Sequence, residues 1–185
     1  QLHPMARSVG VAELEKHGER DNYGRVVAAY YLQLVQAAES RIYGEDLTIV
    51  SSIVRDEITN MLAGQEWYWA HEYWPEVIAY ADALYNPLAL GGFREARLAV
   101  VQRALTASKR SGDIGGEARF LSALADIYHE EGRSSEAVDL YEQSLALHRR
   151  VGNRLGEANV LKAQGDVLYF LKRTDEALAR YDQAL

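Results

Sequence analysis

The sequence predicts an all-α fold in which antiparallel helical hairpins stack as a solenoid, and three observations carry that prediction. Residues 112–145 and 152–185 are two copies of one motif set forty residues apart, with 13 identities in 34 aligned pairs. Apolar residues recur at three- and four-residue spacings along nearly the whole chain, and no stretch alternates as a strand does. Only three prolines occur, Pro4, Pro75 and Pro87. A single hairpin cannot bury its own apolar face, so copies stack, and the stack presents an extended concave surface to other molecules.

Taken in order, residues 1–20 read as an N-terminal tail or expression-derived segment, with 1–4 standing ahead of Met5. Residues 21–74 read as a helical linker region. One helix is expected from Asn22 to Ser40, with Val26, Val27, Tyr30, Leu34 and Ala37 on its apolar stripe. The run RIYGED closes it before a second helix from about Asp46 to His71. Pro75 suits the first turn of the next helix, where its missing N–H costs nothing, and Gly91-Gly92 separate that helix from one over Phe93 to Arg110. Residues 75–111 thus form a degenerate hairpin. A shift of forty places Gly92 on Gly132 and Leu105 on Leu145, but sets Arg97 where Ala137 and Ala177 stand, unless a one-residue slip brings Ala96 there. The clear repeats are 112–151 and 152–185. Gly112 and Gly152 read as left-handed helix ends, and Asp113 and Asn153 offer side-chain oxygens to cap the helix that follows. Ser134 or Ser135 and Thr174 are the candidate caps inside the hairpins.

Leu121, Leu124, Ala125, Tyr128, Ala137, Tyr141 and Ser144 follow an order of large, large, small, aromatic, then small, aromatic, small. Leu161, Gly165, Leu168, Ala177, Tyr181 and Ala184 repeat it. This pattern resembles the tetratricopeptide repeat, with a period of forty where that family has thirty-four and without its proline near the end of the second helix. Gly116-Glu117-Ala118 and Gly156-Glu157-Ala158 after a Gly-Asp or Gly-Asn turn are similar to the longer-period variants of polarity adaptors and bacterial regulators. The resemblance implies a right-handed superhelix and a cytoplasmic, non-enzymatic scaffold for protein–protein interaction or self-association. Tyr30-Tyr31-Leu32-Gln33-Leu34, Glu57-Ile58-Thr59-Asn60-Met61-Leu62-Ala63 and Trp67 resemble the helical region that joins the ATPase core to the repeats in bacterial STAND signalling ATPases. That implies a larger bacterial signalling regulator as parent. No Gly-x-x-x-x-Gly-Lys-Ser/Thr segment occurs, so ATP binding is not implied.

Composition narrows the alternatives. A formal charge of -7, with no segregated basic stripe, disfavours nucleic acid; Arg149, Arg150 and Arg154 have acidic neighbours. The chain has no cysteine, which removes disulfides, thiolate metal sites and thiol nucleophiles. Its apolar runs are far shorter than the roughly twenty residues a membrane helix needs. The histidines, His3, His17, His71, His129 and His148, form no HExxH, and the repeat counterpart of His129 is Tyr169, so no metal or other cofactor is expected. Trp67, Tyr68, Trp69, Tyr73 and Trp74 suit core packing, with a small-ligand pocket over 67–74 as the alternative function.

The resemblance also places the groove. Five positions on the first helix of each hairpin face the concave side, and they map to Arg119, Ser122, Asp126, His129 and Glu130, then to Asn159, Lys162, Asp166, Tyr169 and Phe170. Arg119, Asn159 and Lys162 have the chemistry to hold a carboxylate, but Asp126 and Asp166 stand where carboxylate-clamp members carry asparagine. The sequence stops at Gln183-Ala184-Leu185 inside a helix without a capping glycine. Leu178, Tyr181 and Leu185 are therefore expected to leave an apolar surface that pairs with a second copy by two-fold symmetry.

Overall fold

The structure, a computed structural model, describes residues 19–40 and 47–185. Residues 1–18 with His3 and His17, most of the expected tail, and the RIYGED connection lie outside them. Among the described residues eight helices occur and no strand. They are α1 (Arg20–Glu39), α2 (Leu47–Ala70), α3 (Trp74–Leu90), α4 (Arg94–Ser111), α5 (Ile114–Glu130), α6 (Ser134–Arg150), α7 (Arg154–Phe170) and α8 (Thr174–Ala184). The chain divides into two compact units at Gly92–Phe93, within the expected hairpin 75–111 and between its helices.

In the first unit α1, α2 and α3 each pack on the other two. The inward face of α1 is not the expected stripe. Ala28, Val35 and Ala38 are buried, whereas Val26 and Tyr30 are 58% and 59% exposed and Ala37 is exposed too. Close approach decides this. The Tyr80 hydroxyl of α3 donates to the Ala28 carbonyl at 2.6 Å, and a Cβ on Gly64 of α2 would run into that same phenol. A Cβ on Gly24 would likewise meet the Trp67 indole. Small residues sit where helices touch, and the larger Val26 and Tyr30 turn outward. Burial raises the Tyr80 phenol well above its ordinary range, so it remains a donor.

In the second unit consecutive helices from α4 to α8 pack in turn, and the first helices of the two hairpins, α5 and α7, also touch. Ala125, Ala137, Tyr141, Leu145, Val160, Leu161 and Val167 form one buried cluster, of which Ala137, Tyr141, Leu145 and Leu161 are identical across the repeat, and Ala177 is fully buried as well. Gly165 leaves room for the Tyr181 ring, whose Cε1 would stand 2.5 Å from an added Cβ.

Backbone conformation reveals a half-period of twenty. Left-handed residues end helices at Glu72, Gly92, Gly112, Gly132, Gly152 and Lys172, with φ between 59° and 79°. The series runs through both clear repeats and back to the start of α3, so the segment 75–111 shares their helix lengths and turns. Asp113 and Asn153 cap α5 and α7 as expected, each accepting the backbone N–H three residues on, from Gly116 and Gly156, at 2.9 Å. The caps expected inside the hairpins are corrected. Arg133 and Arg173 occupy those places, and neither caps the helix with its side chain. Each instead grips the glutamate three residues on, Glu136 or Glu176, by two N–H···O bonds of 2.6–2.8 Å. Ser134 begins α6 and its hydroxyl lies 2.8 Å from His129 Nδ1. Arg97 needs no slip to Ala96. It is only 4% exposed, and its guanidinium runs to Glu130 at the end of α5, 2.5 Å away.

Candidate functional site

The first helices α5 and α7 carry all ten groove positions, and the structure sorts them. Arg119 and Glu130 on α5 and Asn159, Lys162, Asp166, Tyr169 and Phe170 on α7 are exposed, while Ser122, Asp126 and His129 are half-buried. Most of these side chains are already engaged within the fold: His129 Nδ1 lies beside the Ser134 hydroxyl and the Ser122 hydroxyl donates to the Arg119 carbonyl. Tyr141 donates its hydroxyl to Asp126 Oδ1, and one repeat later Tyr181 donates to Asp166 Oδ1 at 2.8 Å. Lys162 Nζ lies 3.1 Å from Asp166 Oδ2, and Glu130 is taken by Arg97. Both aspartates therefore tie the first helix of a hairpin to its second. Asp126 and Asp166 are identical across the repeat, as are Tyr141 and Tyr181. That fifteen-residue pairing is the sequence signal of a structural role, which position along the repeat alone does not reveal.

A compact aromatic shelf remains at the C-terminal end of this face. Tyr169 and Phe170 are 61% and 63% exposed, although helix burial normally claims such side chains first. Phe170 meets the His129 ring edge-on at 5.1 Å, which joins α7 to α5 across the face. Lys162 and Asn159 lie up to three turns nearer the start of α7. The arrangement offers flat apolar contact at one end and charged or amide hydrogen bonding at the other.

The other candidates fall out differently. Leu178 and Leu185 are exposed, but Tyr181 is half-buried, packed over Gly165 and bonded to Asp166. Tyr181 thus serves its own hairpin, and Leu178 is the cleaner probe of self-association. In the 67–74 region the rings use one another. Trp67 stacks on His71 at 4.0 Å and on Tyr73 at 5.8 Å, Tyr68 meets Tyr73 and Tyr80, and Trp69 meets Trp74 edge-on. His71 also places Nδ1 2.7 Å from the Trp67 carbonyl. No group of three or more metal-ligating side chains occurs among the described residues. No helix among them is long and apolar enough to cross a membrane.

His148 is a functional-looking group that the repeat pattern did not flag. It is buried at the end of α6 against Gly156, without a hydrogen-bond partner at Nδ1, in the place Ser108 takes one repeat earlier. Burial, then the nearby Arg119 charge, pushes its pKa below the ordinary histidine value, against the opposing pull of Glu157.

Comparison with known proteins agrees with this architecture. Residues 116–185 match the tetratricopeptide repeat family. The match begins at the capped first turn of α5 and runs through both hairpins, whose packing residues are thus similar to those of that family. Among solved structures, the chain is similar to the crystal structure of BtubC (BKLC) from P. vanneervenii. The TM-score is 0.57, at 15% identity, covering 85% of this chain and 70% of that one. That likeness shows a shared all-α helical-repeat fold. No curated protein matches the sequence. Tetratricopeptide repeats generally mediate protein–protein interaction, through the extended surface that stacked hairpins create.

Proposed function

We propose that residues 112–185 bind a segment of a partner protein on the face of α5 and α7, with Tyr169 and Phe170 as anchors. The observation that carries this is the exposed aromatic pair on a first helix whose neighbouring positions are otherwise polar. Large aromatics at the centre of an interface supply most of its energy, while charges at its edge set register. Lys162 and Asn159 are the edge groups. Arg119 adds positive charge on α5, and Asp126 and Asp166 hold the hairpins in shape. A terminal-carboxylate clamp is not favoured, because the Lys162 ammonium is already beside Asp166.

The resemblance of residues 30–34 and 57–67 to the helical region of STAND ATPases supports a finer reading, in which this chain is the repeat region of a larger bacterial signalling regulator. The test of the binding face is titration of the partner into wild type, Phe170→Ser and Lys162→Glu. Each substitution should weaken binding about tenfold or more, as loss of an anchor does, with an unchanged melting temperature. Full affinity in both variants would overturn the assignment.

A further inference from the structure

The second helices of the two hairpins enclose a cleft of about 380 Å³ between α6 and α8, with α7 as its floor. Its position differs from the proposed partner face, and its chemistry breaks the repeat. At the floor stands Gln164, fully buried, where the preceding copy has Leu124. On the walls stand Glu142 and Arg180, whose counterparts forty residues earlier are Gln102 and Leu140. Two apolar positions of the repeat, Leu124 and Leu140, have become polar, and a third, already polar at Gln102, has become charged, all at one place.

The hydrogen bonds within this cluster are lopsided. Gln164 Nε2 donates to Glu142 Oε1 at 2.8 Å, and Arg180 Nη2 donates to the same oxygen at 2.6 Å. Glu176 is held bidentately by Arg173. Both arginines are thereby committed to carboxylates. Gln164 Oε1 is buried and has no partner. Exchanging the amide's oxygen and nitrogen would set that oxygen against Glu142, so the unmet group is an acceptor. Asp139 lines the same wall and makes no side-chain ion pair among the described residues. A buried acceptor left unpaired costs about 1–3 kcal/mol, and its natural complement is an N–H donor.

We propose that this cleft is a second binding site, for a guanidinium or ammonium group on a short apolar stem. Asp139 and the second oxygen of Glu142 face the charge, Gln164 Oε1 accepts from the group at the floor, and Val138 and Leu168 line the path of the stem. The cation comes either from a basic side chain of a partner protein or from a free small amine; both offer the same donor chemistry.

The test is an amide-detected NMR titration of the whole chain with N-acetyl-arginine methylamide, and with the citrulline analogue, which keeps the shape and loses the charge. Saturable shifts at Gln164 and along α6 and α8 are expected for the arginine compound only. Asp139→Asn should raise the Kd roughly tenfold, the loss of one charge-assisted hydrogen bond. Gln164→Leu, which restores the residue of the preceding copy, should abolish the shifts while the melting temperature holds or rises. Gln164→Met serves if that variant does not fold. A pentapeptide carrying one arginine separates the sources: tighter binding than the capped residue supports a protein side chain, and equal binding supports a free amine. Equal shifts with citrulline, shifts confined to α5 and the exposed face of α7, or unchanged binding in the Gln164 variant would overturn the proposal. Loss of the cleft shifts leaves the Tyr169–Phe170 face untouched, because that face is tested by the Phe170 and Lys162 variants.

Discussion

Exchanging the residues at the left-handed turns of the two hairpins tests the twenty-residue register directly. Gly132 has φ 79° and its repeat counterpart Lys172 has φ 63°. A Cβ added at Gly132 would meet nothing within 4 Å, so the cost of a side chain there is local to the backbone. An L-residue held in the left-handed region loses about 1–2 kcal/mol. Glycine in turn gives up about 0.4–1 kcal/mol through its freer unfolded chain. The difference, about 0.5–1 kcal/mol, favours glycine at both turns. Lys172→Gly should therefore stabilise the protein by that amount and Gly132→Lys should destabilise it equally, each a two- to fivefold change in the folding equilibrium. Urea denaturation followed by circular dichroism at 222 nm gives the midpoints, with an unchanged slope as the sign that only stability moved. A lower midpoint for Lys172→Gly, or a shift of the same sign for both variants, would refute the assignment of position 172 to the glycine series.

Three further outcomes follow from the same packing. Ala137 and Ala177 are fully buried, so Ala137→Leu should cost about 1–3 kcal/mol by overpacking; Gln143→Leu, at an exposed site of the same helix, should fall within about 0.5 kcal/mol of wild type, and equal losses would show the register to be wrong. Tyr141→Phe removes a hydroxyl bonded to the Asp126 carboxylate and should cost about 1.5–3 kcal/mol, more than Tyr181→Phe at the less buried equivalent. Thermal melts of the two variants check the order. His148 gives a pH dependence of known sign. Its folded pKa lies below the unfolded value of about 6.5, so the unfolded chain takes up the proton first. Stability is complete above the unfolded value and falls as pH drops toward the folded one. His148→Gln should flatten that decline in pH-dependent melting, and an unaltered profile would assign the effect to other groups.

The sequence carried most of the second unit because a repeat is its own control. Ala137 and Ala177, Tyr141 and Tyr181, Gly112 and Gly152, and the caps Asp113 and Asn153 were visible as pairs, and each does the packing or turn work that its residue type permits. The first unit offers no second copy. Periodicity is the only signal for the α1 stripe, and it does not distinguish the face closed by Gly24 and Ala28 from the neighbouring face carrying Val26 and Tyr30. Only the approach of Trp67 and Tyr80 from other helices decides between them. The N-cap positions inside the hairpins are not legible in the sequence for a local reason. Arg133 and Arg173 pair with Glu136 and Glu176 three residues on, a match of side chain to side chain that cap propensities do not describe. At the candidate site, position along the repeat identified which residues lie on α5 and α7, but the partners of Asp126, Asp166 and Glu130 come from other helices.

The central claim is that partner recognition uses the α5–α7 face, and the most direct measurement is a crosslinking footprint. A photoreactive residue placed at Tyr169 on α7 is compared with one at Ala146 on the exposed side of α6, in the same cell extract and at matched expression. A discrete adduct at 169, lost when Phe170→Ser is added, with none at 146, is the predicted result. A discrete adduct at 146 and none at 169 would contradict the account.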